Sequence, residues 1–158
     1  MKIETGYLYH IKNDFFDLVK DEGLMINHES GKTRPTYFTI RENDILWFVP
    51  VSCRVNKYES IIKQKIKKYG SCKSIMIVDI ASKKNAVLIQ NAFPILEKYI
   101  DHIHMENGAP VRIADNSKKE ILDNFKYMLA LKKEGINLFF TDIDRIKEIM
   151  LKELALNY

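Results

Sequence analysis

The chain has 158 residues, the length of one domain, and its 46% hydrophobic and 29% charged residues exclude wholesale disorder. No apolar run approaches the roughly 18 residues of a membrane-spanning helix, and no apolar stretch follows Met1–Thr5, so neither a membrane span nor a signal peptide is expected. Two cysteines, Cys53 and Cys72, do not make a disulfide framework in a chain read as cytoplasmic, and the net charge of +4 says little before its distribution is known.

Gly6 to Ile11 (GYLYHI) alternates as a strand does, and Asp14 to Val19 (DFFDLV) reads as a short helix or turn. Residues 27 to 33 (NHESGKT) are polar and read as a surface loop. Thr36 to Arg41 and Asp44 to Val51 are strands joined by a tight Glu42-Asn43-Asp44 connection, hence a hairpin. Pro50 lacks a donor, so the second strand is expected to end there or lie at an edge. Tyr58 to Tyr69 reads as a helix with Ile62, Ile66 and Tyr69 on its inner face and Gly70 as its stop.

Ser74 to Ile80 and Ala86 to Gln90 read as buried strands joined by a turn at residues 82 to 85. Residues 91 to 105 are ambiguous, with a strand pair favoured. Ser117 with Glu120 forms a capping-box pattern opening a helix to about Lys133, closed by Gly135. Thr141 with Asp144 repeats the pattern before a last helix, whose inner face is Ile143, Ile146, Ile149, Met150 and Leu154. A strand-rich half followed by helices predicts one α+β domain over residues 1–158.

The positive charge is concentrated. Residues 54 to 73 hold Arg54, Lys57, Lys63, Lys65, Lys67, Lys68 and Lys73 against the single acid Glu59, so this stretch is +6 and the remainder −2. Cations next to Tyr58 and Tyr69 suit RNA phosphates and unpaired bases; the competing reading is a solvated helix face. Phosphate-loop, dinucleotide and nucleophile-elbow motifs are absent. His102 and His104 share a strand face, but with no third ligand apparent no metal site is expected. Asp142 and Asp144 read as helix N-terminal residues rather than a catalytic carboxylate pair. Ser52 follows an apolar strand and precedes the basic stretch, where a hydroxyl can bond a phosphate oxygen. Arg34 and Arg54, two of only five arginines, lie beside it in sequence logic and can grip phosphate bidentately. The alternative is a turn serine with surface arginines.

With its Tyr-rich first strand (YLYHI), the Asp-Phe-Phe turn, Arg34-Pro35 before a strand, the hairpin ending Val49-Pro50-Val51-Ser52, the basic stretch, Asn-Ala-Phe-Pro-Ile at 91 to 95 and two closing helices, the chain resembles a known family. That family is the toxins of type III toxin–antitoxin systems, the ToxN, AbiQ, CptN and TenpN class, with the CptN-like branch nearest. The resemblance implies a compact, bent antiparallel β-barrel of the MazF/Kid type with surrounding helices. It implies a metal-independent endoribonuclease without cofactor, cutting single-stranded, often A-rich RNA to leave 2′,3′-cyclic phosphate and 5′-hydroxyl ends.

The family's hydroxyl residue falls on Ser52, to orient the scissile phosphate, and its basic residue on Arg34, or on Lys32, to stabilise charge. Tyr9 and His10 are the proton-transfer candidates. Related members carry Thr-Ser and then Pro-x-Lys; here Cys53 follows Ser52, and Arg54 or Lys57 stands for the family lysine. Lys63, Lys65, Lys67 and Lys68 would bind the RNA antitoxin, a pseudoknotted repeat RNA that the toxin processes and with which it closes a cyclic assembly. Phage defence by abortive infection is the family role; DNA and membrane are not expected partners. The alternatives are a MazF-like ribonuclease with a protein antitoxin and a non-catalytic RNA-binding module.

Overall fold

A computed structural model describes residues 2–29 and 32–156. The elements in order are β1 (Leu8–Ile11), α1 (Asn13–Val19), β2 (His28–Glu29), β3 (Lys32–Thr33), β4 (Thr36–Glu42), β5 (Ile45–Ser52), α2 (Val55–Tyr69), β6 (Met76–Ile80) and β7 (Lys83–Val87). They continue with β8 (Phe93–Ile95), β9 (Ile100–Ile103), β10 (Met105–Glu106), β11 (Ala109–Pro110), α3 (Asp115–Lys133) and α4 (Ile143–Ala155). Seven strands form one antiparallel sheet in the order β6-β7-β5-β4-β1-β9, with β8 also paired to β5. The architecture is α+β, with four α-helices among the described residues.

The sheet does not close into the expected barrel, since β6 and β9 end it without meeting. Strand β8 lies off this path and pairs with β5, Pro94 standing opposite Trp47. Helix α4 packs against β8. Residues 91 to 105 accordingly give no strand pair: β8 bonds β5, β9 bonds β1, and a 3-10 turn over Glu97–Tyr99 separates them.

The β4–β5 hairpin forms as its sequence predicts, through a two-residue connection in which Asn43 takes φ +55°. Pro50 neither ends β5 nor lies at the edge of the sheet. It pairs with Thr36 at the point where β5 changes its other neighbour from β8 to β7, and its carbonyl accepts from Leu88 N–H at 2.9 Å. The missing donor therefore falls in a gap between two partners. In the β6–β7 hairpin the turn is only Ala81-Ser82, both at positive φ, and the polar Lys83, Lys84 and Asn85 belong to the strand. The stretch read as a surface loop contains the small β2–β3 pair; residues 30 and 31 lie outside the described residues.

Helix α2 stops at Gly70, whose φ of +84° suits a residue without Cβ. Its inner face differs from the expected one. Tyr58 is buried with Ile61 and Ile62 against Ile75, Ala86 and Leu88, whereas Ile66 and Tyr69 are exposed. The sheet is too short there to cover the last turns. Ser117 lies inside the first turn of α3 rather than capping it, and α4 is capped by Asp142, whose carboxylate accepts from Arg145 N–H. Thr141 instead donates to Ala92 O.

The main core is aromatic. Phe38 stacks on Phe48 at 5.2 Å, Phe15 on Phe93 at 5.1 Å, and Trp47 meets Phe125 of α3 at 5.3 Å. These rings bind α1 and α3 to the central strands, each buried ring contributing roughly 2–3 kcal/mol of apolar burial. No helix among the described residues is long and apolar enough to cross a membrane.

Candidate RNA-cleavage site

Ser52 closes β5 and is 3% exposed. Two residues later α2 begins, so the chain turns sharply; Ser52 Oγ accepts the Arg54 N–H at 3.2 Å and holds that turn. Arg54 is the N-cap residue of α2, whose first turn carries no acid. The positive end of the helix dipole therefore lies at this turn.

Arg34 arrives from the opposite side, just before β4. Its backbone N–H donates to Asn27 O at 2.6 Å, its Nε to Ile26 O at 3.0 Å and its Nη1 to Val51 O at 3.0 Å. One guanidinium therefore ties the segment before β2 to the end of β5. Between them opens a cavity of about 300 Å³. Arg34, Ser52, Arg54 and Lys57 line it, with Tyr58 beside them and Leu24, Met25, Ile26 and His28 opposite. Among the described residues, its lining brings three cationic side chains and a hydroxyl together.

The wall opposite Ser52 is fixed from far along the chain. Asp21, nearly buried, accepts from Gly23 N–H at 3.0 Å and pairs with Arg145 of α4 at 3.2 Å. Asn91 Nδ2 donates to Gly23 O at 2.7 Å. A Cβ on Gly23 would stand 2.1 Å from Phe140 O, so only glycine lets the two backbones approach this closely.

The remaining sequence candidates divide. Tyr9 is fully buried, edge-on to Phe48 at 6.0 Å, with its hydroxyl engaged by the Glu4 backbone; it does not line the cavity. Burial raises its pKa. Lys32 is exposed on β3, outside the cavity. Lys63, Lys67 and Lys68 are exposed along α2. Lys65 turns inward instead: its Nζ donates to Ser74 Oγ at 3.0 Å and Gln90 Oε1 at 3.3 Å, and lies 5.9 Å from the Phe140 ring centre.

His10 of β1 joins His102 of β9 and His104 just beyond it, and its Nδ1 bonds Thr33 Oγ1, one residue before Arg34. It stacks on His102 at 4.4 Å, and its Nε2 lies 2.8 Å from His104 Nδ1. Desolvation, aided by the two neighbouring imidazoles, lowers its pKa to about 4. Near-parallel rings cannot aim their in-plane lone pairs at one point, and no group of three or more His, Cys, Asp or Glu among the described residues is arranged to hold a metal ion. His28, Asn13 and Asn27 belong to the site or its support but carry no sequence motif, whereas Tyr58 was legible beside the cations. For the first three the only signal was a histidine inside a polar segment, and such segments often carry function.

Neither a protein-family model nor a curated protein matches the sequence. Among solved structures, the fold is similar to that of AbiQ, a lactococcal anti-phage endoribonuclease belonging to the type III toxin–antitoxin system. The likeness has a TM-score of 0.52 at 9% identity and covers 83% of this chain and 76% of that one.

Proposed function

We propose that this chain is an endoribonuclease toxin of a type III toxin–antitoxin system, and that the Ser52 cavity is where it cuts RNA. The observation that carries this reading is the convergence of Ser52, Arg34, Arg54 and Lys57 on a cavity at the N-terminus of α2. That arrangement suits a phosphodiester, and the chain shares its fold with an endoribonuclease of that class.

In the reaction the RNA's own 2′-hydroxyl attacks the adjacent phosphorus, and a 2′,3′-cyclic phosphate and a 5′-hydroxyl result. The protein needs no covalent nucleophile and no metal. Ser52 orients the phosphate, while Arg34, helped by Arg54 and Lys57, stabilises the extra equatorial charge. One preorganised donor of this kind is worth roughly 3 kcal/mol. The exposed lysines of α2 hold the phosphate backbone of a folded, pseudoknotted RNA antitoxin, with which the toxin closes a cyclic assembly; defence against phage follows from its release.

Incubating the purified protein with single-stranded RNA in excess chelator tests the reading. Cyclic-phosphate ends are expected, together with their loss in Ser52→Ala while antitoxin binding persists. Undiminished cleavage by Ser52→Ala refutes the assignment of the site.

A further inference from the structure

Cutting RNA in this way requires a group to accept the 2′-hydroxyl proton. Guanidinium and ammonium groups offer no lone pair, and imidazole is the side chain that ordinarily exchanges a proton near neutrality. The one imidazole lining the cavity is that of His28.

Its orientation is set by a chain of hydrogen bonds that begins in the interior. Asn27, 8% exposed, points its Nδ2 at two oxygens, Ile11 O at 3.1 Å and Asn13 Oδ1 at 3.0 Å. A carbonyl can only accept, so the Ile11 contact fixes which end of the Asn27 amide is nitrogen. That nitrogen can only donate, so the Asn13 atom facing it is oxygen. The same Asn13 Oδ1 lies 2.6 Å from His28 Nε2. His28 Nε2 must therefore carry a hydrogen, which leaves Nδ1 of the neutral ring with a free lone pair. An amide oxygen that fixes the tautomer of a base recurs in Cys-His-Asn enzymes on unrelated folds.

We propose that His28 is the general base of RNA cleavage at this cavity and that Asn13 is its positioning residue, an inference that rests on the ribonuclease reading above. The 2′-hydroxyl proton passes to His28 Nδ1 as the O2′–P bond forms. The P–O5′ bond breaks, the leaving oxygen takes a proton from water, and the imidazolium gives its proton to the hydroxide so formed. Arg34, Arg54 and Lys57 share the cavity with His28, while Asp17, Lys20 and Asp21 line the groove on its other side.

The test is the pH–rate profile of cleavage of an oligoribonucleotide. His28→Gln should cut about a hundredfold or more slowly and lose the limb in which rate rises with pH. Its affinity for a non-cleavable 2′-O-methyl oligonucleotide should be unchanged. Free imidazole should restore part of the activity of His28→Ala. Asn13→Ala should lower kcat rather than raise KM, and Asn13→Asp, which keeps the acceptor and adds charge, should move the limb to higher pH. In the uncut protein, nitrogen NMR should show the His28 ring protonated at Nε2.

A His28→Gln protein that cuts at the wild-type rate, while Ser52→Ala is inactive, overturns the assignment of the base and leaves the ribonuclease reading standing. A His28 ring protonated at Nδ1 overturns the role of Asn13. Wild-type protein that cuts no RNA overturns both this inference and the reading it rests on.

Discussion

At the scale of single residues, His28 and His10 sit in different surroundings although both reach the β2–β3 pair. His28 sits at the rim of a cationic cavity, whereas His10 is buried among imidazoles. His102 and His104 face His10 from β9 or just beyond it, Asp101 opposes their effect, and Thr33 Oγ1 bonds its Nδ1. The folded-state pKa of His10, about 4, lies below the ordinary 6.5. Between those values the unfolded chain binds more protons. His10 therefore costs nothing above pH 6.5, and stability falls as pH drops from about 6.5 towards about 4, by at most about 3 kcal/mol. Urea midpoints at pH 7, 5.5 and 4 should show this slope, and His10→Gln should flatten it; an equal slope in the variant places its origin elsewhere. The sequence put His102 and His104 on one strand face; both rings meet His10, but His104 lies just past the end of β9. The sequence could not reveal that His10 meets them, because that depends on the β1–β9 register across some ninety residues.

Among the elements, α2 shows how a helix divides its lysines. A count along the chain gives seven basic residues in the stretch from 54 to 73, but position on the helix assigns them separate roles. Arg54 and Lys57, beside its N-terminus, line the cavity. Lys65 braces the helix against Ser74 and Gln90. Lys63, Lys67 and Lys68 are exposed along the helix, and Lys73, beyond its end, lies 5.3 Å from the Tyr127 ring centre. Reversing Lys63, Lys67 and Lys68 to glutamate should weaken binding of a folded RNA and reduce the slope of log affinity against log salt by about two to three. Lys65→Met should lower Tm instead, with that slope changing by less than one. Equal effects on the slope would mean that Lys65 also reaches the RNA. Periodicity located this helix well because lysine and isoleucine alternate strongly along it. It misjudged the burial of Ile66 and Tyr69 because amphipathicity marks a face without telling how far the neighbouring sheet extends.

For the molecule as a whole, local signals were legible and joints were not. The β4–β5 hairpin, the Gly70 stop and the last two helices follow from turn residues, stop residues and apolar spacing near in sequence. The open sheet, the divided pairing of β5 and the separation of β8 from β9 depend on which strands meet at long range. Ser52, Arg34, Arg54 and Lys57 were each legible as residue types, and the fold brings them together. The opposing wall was not, since Leu24 to His28 looks like an ordinary connection until Asp21 and Gly23 are seen bound to Asn91, Phe140 and Arg145. Asp21→Ala removes the acceptor for Gly23 N–H and the partner of Arg145. It should cost about 2 kcal/mol and raise the KM for RNA more than it lowers kcat. A Tm loss with unaltered KM would show that this wall does not shape the substrate site.

That long-range clasp also bears on the order in which a ribosome makes the protein. Every side chain that lines the cavity has been synthesised once Tyr58 is added, yet the contacts that fix one wall wait for Phe140 and Arg145. Synthesis proceeds at roughly 5–20 residues per second, so a nascent chain carries an unbraced cavity for several seconds beside the ribosome and its messenger RNA. A chain assembled in this sequence gives the cavity its final shape only after most of the message has been read.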